Sequence, residues 1–392
     1  MARAISEHGP APWVRLPDGL EVLAVVDADL AHRLLKSRIV SRNPRHWPGY
    51  EDGSLEVGGV VRNWVAPQTA LNAEGDEHRR LRAPIQGALT AKRVRAMEPV
   101  IREVVGSLLD QVSAGEGIVD AVEAFAAQVP LLITTRLLGI AEEQHRDFRR
   151  AVAGVFETGV AEAEAVQRMA RLTQLLEKLV RDKRRAPADD FTTEMIQQAD
   201  AGNPRLTDDQ VRDQLMLVVS AGLETTVHGI GNLLVALMTR PHQLRLMTSG
   251  EASWEQAVNE SLRYRPPAEW VPLRWAVADF DDPETGMRFR SGDPILINFG
   301  SAGRQPSQCP HSADSFDVTR TPVRHLAFGY GPHTCPGSGL ARMEMEIAVR
   351  GWFDRFPKCR LAVAESDLRM IGSWIISGFA EIPVALRTSS AR

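Results

Sequence analysis

Apolar and polar positions alternate at the start of the chain and then change period. Trp13-Val-Arg-Leu16 and Leu20-Glu-Val-Leu-Ala-Val-Val26 read as two strands, and Pro17-Asp18-Gly19 between them supplies a hairpin turn. From Ala91 to Arg240 the spacing is helical nearly throughout, with breaks at Ala114-Gly-Glu-Gly117, Gly139 and Gly202-Asn-Pro204. One predicted helix is unusually long. Thr207-Asp-Asp-Gln210 has the spacing of a capping box, and no proline follows until Pro241. That leaves about thirty residues, or ~45 Å of helix. Such a helix crosses the whole protein or belongs to a coiled coil, and no sustained heptad supports the coiled coil. Between Ala276 and Phe316 glycine, proline and short alternations return, as in Pro294-Ile-Leu-Ile-Asn-Phe299. The expected class is mainly α with a minor β part.

Composition narrows the function more than the fold. By length alone, 392 residues suggest two or three domains, yet no stretch reads as a linker. Basic and acidic residues nearly balance (46 against 50, net −4), which points to neither nucleic acid nor an anionic membrane. The first residues lack an apolar core of signal-peptide length, and no apolar run approaches the ~18 residues that span a bilayer. Three cysteines (Cys309, Cys335, Cys359) make no disulfide framework, and a reducing cytoplasm fits them.

One of those cysteines stands apart. Phe328-Gly-Tyr-Gly-Pro-His333-Thr-Cys335-Pro-Gly337 is a bend of glycines and prolines, and strong helix formers follow from Ser338. A thiolate there meets the positive end of a helix dipole and nearby backbone N–H groups, an environment expected to lower its pKa. Charged sulfur on a rigid loop suits an iron centre. A lone cysteine is more often a small buried hydrophobe, but the spacing Phe-x-x-Gly-x-His-x-Cys-x-Gly resembles the haem-binding loop of the cytochrome P450 family. The resemblance implies that Cys335 is the axial thiolate of haem b, with Phe328, His333 and Gly337 beside the cofactor.

Further segments fit the same family. Ala221-Gly-Leu-Glu224-Thr225 lies in the long helix and resembles the family's oxygen-activation motif. Read alone, Gly222 is a helix flaw and Thr225 bonds back to a carbonyl one turn earlier. Carried over from the family, Thr225 hydrogen-bonds iron-bound dioxygen, Glu224 feeds it protons, and Ala221 lets the flat cofactor approach. His78 and Arg82, one helical turn apart, resemble the family's propionate-binding His-x-x-x-Arg, and Arg274 and His333 match two more propionate contacts. Glu260 and Arg263 look like a surface pair when taken alone, and in the family such a Glu-x-x-Arg is structural. Two positions depart from the usual family sequence. Gln305 stands where an acid usually follows the arginine, and no function attaches to it. Pro336 has no N–H, so one hydrogen bond to the sulfur is expected to be missing.

The resemblance implies one P450 domain over residues 1–392, with the long central helix crossing the haem. His46-Trp-Pro-Gly-Tyr50, Arg62-Asn-Trp-Val65 and Cys335-Pro-Gly337 resemble actinobacterial members that tailor secondary metabolites. The implied activity is monooxygenation with O2, by default hydroxylation of a small, largely apolar or aromatic natural product. Electrons would come from a separate ferredoxin or flavodoxin and its NAD(P)H-dependent reductase, and the protein would be a cytoplasmic monomer. By family position the substrate pocket is walled by Trp64, Val65, Gln68, Leu217, Ala268, Trp270, Val271, Trp374 and Ile375. Radical coupling or cyclisation of aromatic substrates, such as small aromatic peptides, is the alternative outcome. A haem-based gas sensor is a third reading, and the Glu224–Thr225 pair argues against it.

Overall fold

The computed structural model describes all residues except 1, 18, 55–64, 66, 116, 153–161, 306–311 and 387–392. The predicted hairpin is present: Trp13–Arg15 (β1) pairs antiparallel with Glu21–Val25 (β2), and Gly19 supplies the turn's positive φ of 88°. With Val40–Ser41 (β3), Trp270–Ala276 (β4) and Pro294–Asn298 (β5) they build a sheet of order β1-β2-β5-β4-β3. β2 runs parallel to β5, Leu23 opposite Ile295, so most of the chain lies in the connection between two neighbouring strands. The strand period of two then sorts the side chains. Leu23, Val25, Ile295 and Ile297 pack on the helix Ala28–Lys36, while Val22, Ala24, Leu296, Trp270 and Trp275 join Trp47 and Val65 in a separate cluster.

Gln305 has a role in this corner. Its Oε1 accepts from the Ala28 N–H (2.8 Å) and its Nε2 donates to the Val26 carbonyl (2.8 Å), pinning the strand-to-helix turn. A carboxylate could take the first bond but has no proton for the second.

The long helix runs over Asp208–Met238, 31 residues or about 46 Å, with both halves of the Thr207–Gln210 capping box formed. It packs against Gln128–Leu137, Glu162–Arg185, Trp254–Tyr264 and Ser338–Arg355. At the last crossing a Cβ on Gly229 would come 2.9 Å from the Met345 sulfur, so glycine sets how closely these two helices approach. Among the described residues of 91–240, the helical expectation fails after Gly117. Ile118–Asp120 is a strand paired with Pro383–Ala385, and Val122–Ala126 winds as a π-turn. The distant C-terminal strand decides that conformation, which local spacing does not carry.

Glu260 and Arg263 look like a surface pair by spacing alone, but the structure agrees with the structural pair that the resemblance implies. Both side chains are buried (0% and 1% exposed) and joined by two bonds of 2.7 and 2.8 Å. Arg263 further donates to the carbonyls of Gly303, Ala313 and Ser315, each at 2.8 Å. Glu260 accepts the Asp317 N–H (2.8 Å) and faces Arg320 at 3.3 Å. The pair thereby ties the helix Trp254–Tyr264 to the segment that leads into the cysteine loop.

Candidate active site

The cysteine loop is shaped by its glycines. Gly329 and Gly331 hold φ of 71° and 77°, in the region that L side chains avoid. At Gly331 a Cβ would also lie 2.7 Å from the Leu35 carbonyl oxygen, so the loop is pressed against the end of the helix Ala28–Lys36. The Cys335 N–H donates to the Phe328 carbonyl at 2.8 Å, closing the loop. The helix Ser338–Arg355 starts directly behind, and the Gly337 N–H donates to the Cys335 sulfur. The donor missing at Pro336 is thus supplied one residue later. Burial pushes the Cys335 thiol up, against the expected lowering, and outweighs the Gly337 N–H and the charges of Arg82 and Arg342, which pull it down. Desolvation of this sulfur wins until a cation shares its charge. Arg342 lies over the Phe328 ring, 4.3 Å from its centroid.

Arginines and imidazoles converge on this loop from three other segments. His78 and Arg82 come from the helix Gly75–Ala88; the His78 ring lies 4.3 Å from that of His333, and Arg82 donates to the Thr334 carbonyl. Arg274 comes from β4, where the register with β5 shifts between Val271 and Arg274, a bulge that re-aims the strand. Arg42, just past β3, is buried within the field of Arg274. Glu74 offsets these charges. Its Oε1 accepts from the Arg42 backbone N–H at 2.7 Å and sits 3.3 Å from His333 Nε2. Burial lowers His333 to about 4 and Arg274 to about 10, and pushes His78 and Arg42 below their ordinary values. The buried His78 Nε2 and Arg274 Nη1 have no hydrogen-bond partner among the described residues. A buried group of donors short of negative charge and left with orphaned N–H positions fits two carboxylates. The two propionates of a haem would be such a pair.

The central helix offers space where such a cofactor would lie. Ala221 and Gly222 are exposed in the middle of a helix that is otherwise largely buried, and a Cβ on Gly222 would meet nothing within 4 Å. Next to them Thr225 Oγ1 donates to the Ala221 carbonyl (2.6 Å), the back-bond expected of a helical threonine. The Glu224 carboxylate lies 3.9 Å from His228 Nε2, one turn on.

The sequence profile described as Cytochrome P450 matches residues 112–247 and 254–358, more than half of the chain. This chain belongs to the cytochrome P450 family. It is 33% identical to 2-hydroxy-5-methyl-1-naphthoate 7-hydroxylase of Streptomyces carzinostaticus, over 99% of this chain and 94% of that protein. Cytochrome P450 monooxygenase PikC of Streptomyces venezuelae is 31% identical over 97% of this chain and 89% of its own length. Among solved structures, CYP154A1 from Streptomyces coelicolor A3(2) superposes with a TM-score of 0.89 at 38% identity, covering 98% of this chain and 96% of that one. The protein is therefore a P450 monooxygenase that carries haem b on a cysteine thiolate. No helix among the described residues is long and apolar enough to cross a membrane.

Of the nine pocket positions inferred for the P450, Val65, Trp270 and Trp374 meet in one apolar cluster. The Ile375 carbonyl accepts from the N–H groups of Glu269 and Trp270, and Ala268 bridges to Ile376, so this wall is a short β-contact. Leu217 is half-buried against the main core. The set is not brought together whole: Gln68 is exposed, Val271 packs with the cluster on the other side of the sheet, and Trp64 lies outside the described residues. Sequence reasoning missed Arg42, Glu74, Arg320 and His228. Only Glu74 and His228 left a trace, each four residues from a residue already singled out, on the same helical face.

Proposed function

We propose that this P450 hydroxylates a small, largely apolar or aromatic natural product in secondary-metabolite biosynthesis, using electrons from a separate ferredoxin or flavodoxin and its reductase. The observation that carries the reading is the open face at Ala221–Gly222 with Glu224 and Thr225 directly beside it. The enzyme acts in the cytoplasm as a single domain over residues 1–392, as a monomer. Haem b, when bound, supplies the redox-active iron at which dioxygen is activated. Cys335 is its thiolate ligand, with the Gly337 N–H on the sulfur and Phe328 beside it. His78, Arg82, Arg274 and His333 take the propionates, satisfying the orphaned His78 Nε2 and Arg274 Nη1. Thr225 releases its back-bond to Ala221 to hold the oxygen side, and Glu224 brings protons to it.

A ring-bearing substrate of low polarity is supported by the hydroxylase of a naphthoate among the relatives. The test is a Soret titration with a panel of polyketides, terpenoids and aromatic acids, followed by turnover under 18O2 with a ferredoxin and its reductase. One labelled oxygen atom in the product is expected. Coupled or cyclised product without label would replace hydroxylation by radical coupling. A panel that leaves the Soret band unmoved while polar, charged compounds shift it would overturn the substrate class.

A further inference from the structure

The central helix carries a polar stripe that the oxygen-activation motif does not account for. Glu224, His228 and Asn232 recur at intervals of four, so they lie on one face, turn above turn. The His228 side chain is 8% exposed and its Nε2 lies 3.9 Å from the Glu224 carboxylate. On its other side the ring is held by backbone: a Cβ on Gly378 would fall 2.2 Å from His228 Nδ1, so the imidazole occupies the space of the missing side chain. Asn232 anchors the same segment. Its Nδ2 donates to the Ser377 carbonyl (2.9 Å) and the Arg265 carbonyl (3.2 Å), while its Oδ1 is buried with no partner among the described residues. The ring therefore cannot swing toward Gly378, and its free Nε2 side is turned toward Glu224.

We propose that His228 is a positioning residue for the proton-delivering carboxyl. Its Nε2–H holds Glu224 one turn down the helix from Thr225 and hands the carboxyl back once it has taken up a proton. A buried polar group is retained when it is hydrogen-bonded, and Glu224 is the polar side chain facing this nitrogen. Burial keeps the imidazole neutral, lowering it to about 4, so it carries one N–H to donate and does not lock the carboxylate in a permanent ion pair. The 3.9 Å separation is longer than a hydrogen bond, and the role requires it to shorten in the loaded enzyme, as catalytic hydrogen bonds commonly do on binding.

The proposal rests on the role assigned to Glu224, and the test separates the two. His228→Leu removes the donor, and His228→Gln puts an amide nitrogen near the position of Nε2. Three quantities are read in each variant and in Glu224→Gln: substrate affinity from the Soret shift, product against peroxide per electron consumed, and the Glu224 carboxyl stretch by infrared difference. His228→Leu should bind substrate within twofold of wild type, lose coupling several-fold to peroxide and shift the carboxyl band. His228→Gln should recover most of the coupling and the band position. Unchanged coupling and band in His228→Leu, with Glu224→Gln uncoupled, would overturn the role of His228 alone. Unchanged coupling in Glu224→Gln would overturn both. If His228→Leu fails to fold, the band and coupling of His228→Gln decide: a band displaced as in an unbonded carboxyl, with coupling at the wild-type value, removes the proposal.

Discussion

Glu260→Ala should be strongly destabilising. The carboxylate is fully buried, holds Arg263 with two bonds, faces Arg320 and takes the Asp317 N–H. Its removal takes the Glu260 carboxylate away from two buried or nearly buried guanidiniums, and breaking a buried pair on one side costs about 3–5 kcal/mol. An exposed pair such as Arg15–Glu21 contributes only about 0–1 kcal/mol. At roughly 2.1 cal/mol/K per residue, a chain of this length has an unfolding entropy of about 0.8 kcal/mol/K, so Glu260→Ala should lower the melting midpoint by about 4–6 °C. Because Arg263 also grips the carbonyls of Gly303, Ala313 and Ser315, the damage should spread to the approach of the cysteine loop and reduce haem retention. Paired thermal melts and haem quantification on Glu260→Ala, with Glu21→Ala as the exposed control, measure this. If the two variants melt within about 1 °C of each other, the buried network does not carry the stability assigned to it.

Thr225→Ala should bind substrate normally and divert electrons into peroxide; unchanged product per electron would remove Thr225 from proton delivery. Cys335→His should keep some haem but lose the absorption of the reduced carbon monoxide complex that marks thiolate ligation, and an unchanged spectrum would refute the ligand assignment. Stability should depend on pH through His228, which is neutral in the folded chain and titrates near 6.5 when unfolded. The unfolded state then binds the extra proton, so this contribution is complete above pH 6.5 and is lost as pH falls toward about 4, by up to ~3 kcal/mol. Urea unfolding of His228→Gln should lack that slope, and parallel curves for variant and wild type would contradict the burial argument.

What the sequence disclosed and what it hid divide by range of interaction. The capping box at Thr207, the long helix behind it and the glycine-shaped loop around Cys335 depend on residues within a few positions of one another, so spacing sufficed. The burial of Glu260 and Arg263 did not follow from their spacing, because what covers them is a segment some fifty residues away. Arg42 joins the cationic cluster through tertiary placement, and nothing in its neighbourhood sets it apart. Gln305 was opaque for the same reason: its two partners, Val26 and Ala28, lie at the opposite end of the chain. Trp270 and Val271, adjacent in sequence, were placed together in the pocket, yet strand alternation sends them to opposite faces of the sheet.

The parallel pairing of β2 with β5 also bears on how the protein is made. Leu23 waits for Ile295, so the N-terminal hairpin leaves the ribosome with one edge unpaired while most of the chain has still to be synthesised. Loop closure of that length is slow, and an unpaired apolar edge invites wrong partners in the meantime. The strand that covers it is also followed, some thirty residues later, by the loop bearing Cys335. Completion of the sheet and arrival of the Cys335 loop therefore fall close together, long after the hairpin has been made, so the apolar edge of β2 waits for a partner until the cysteine loop is about to follow.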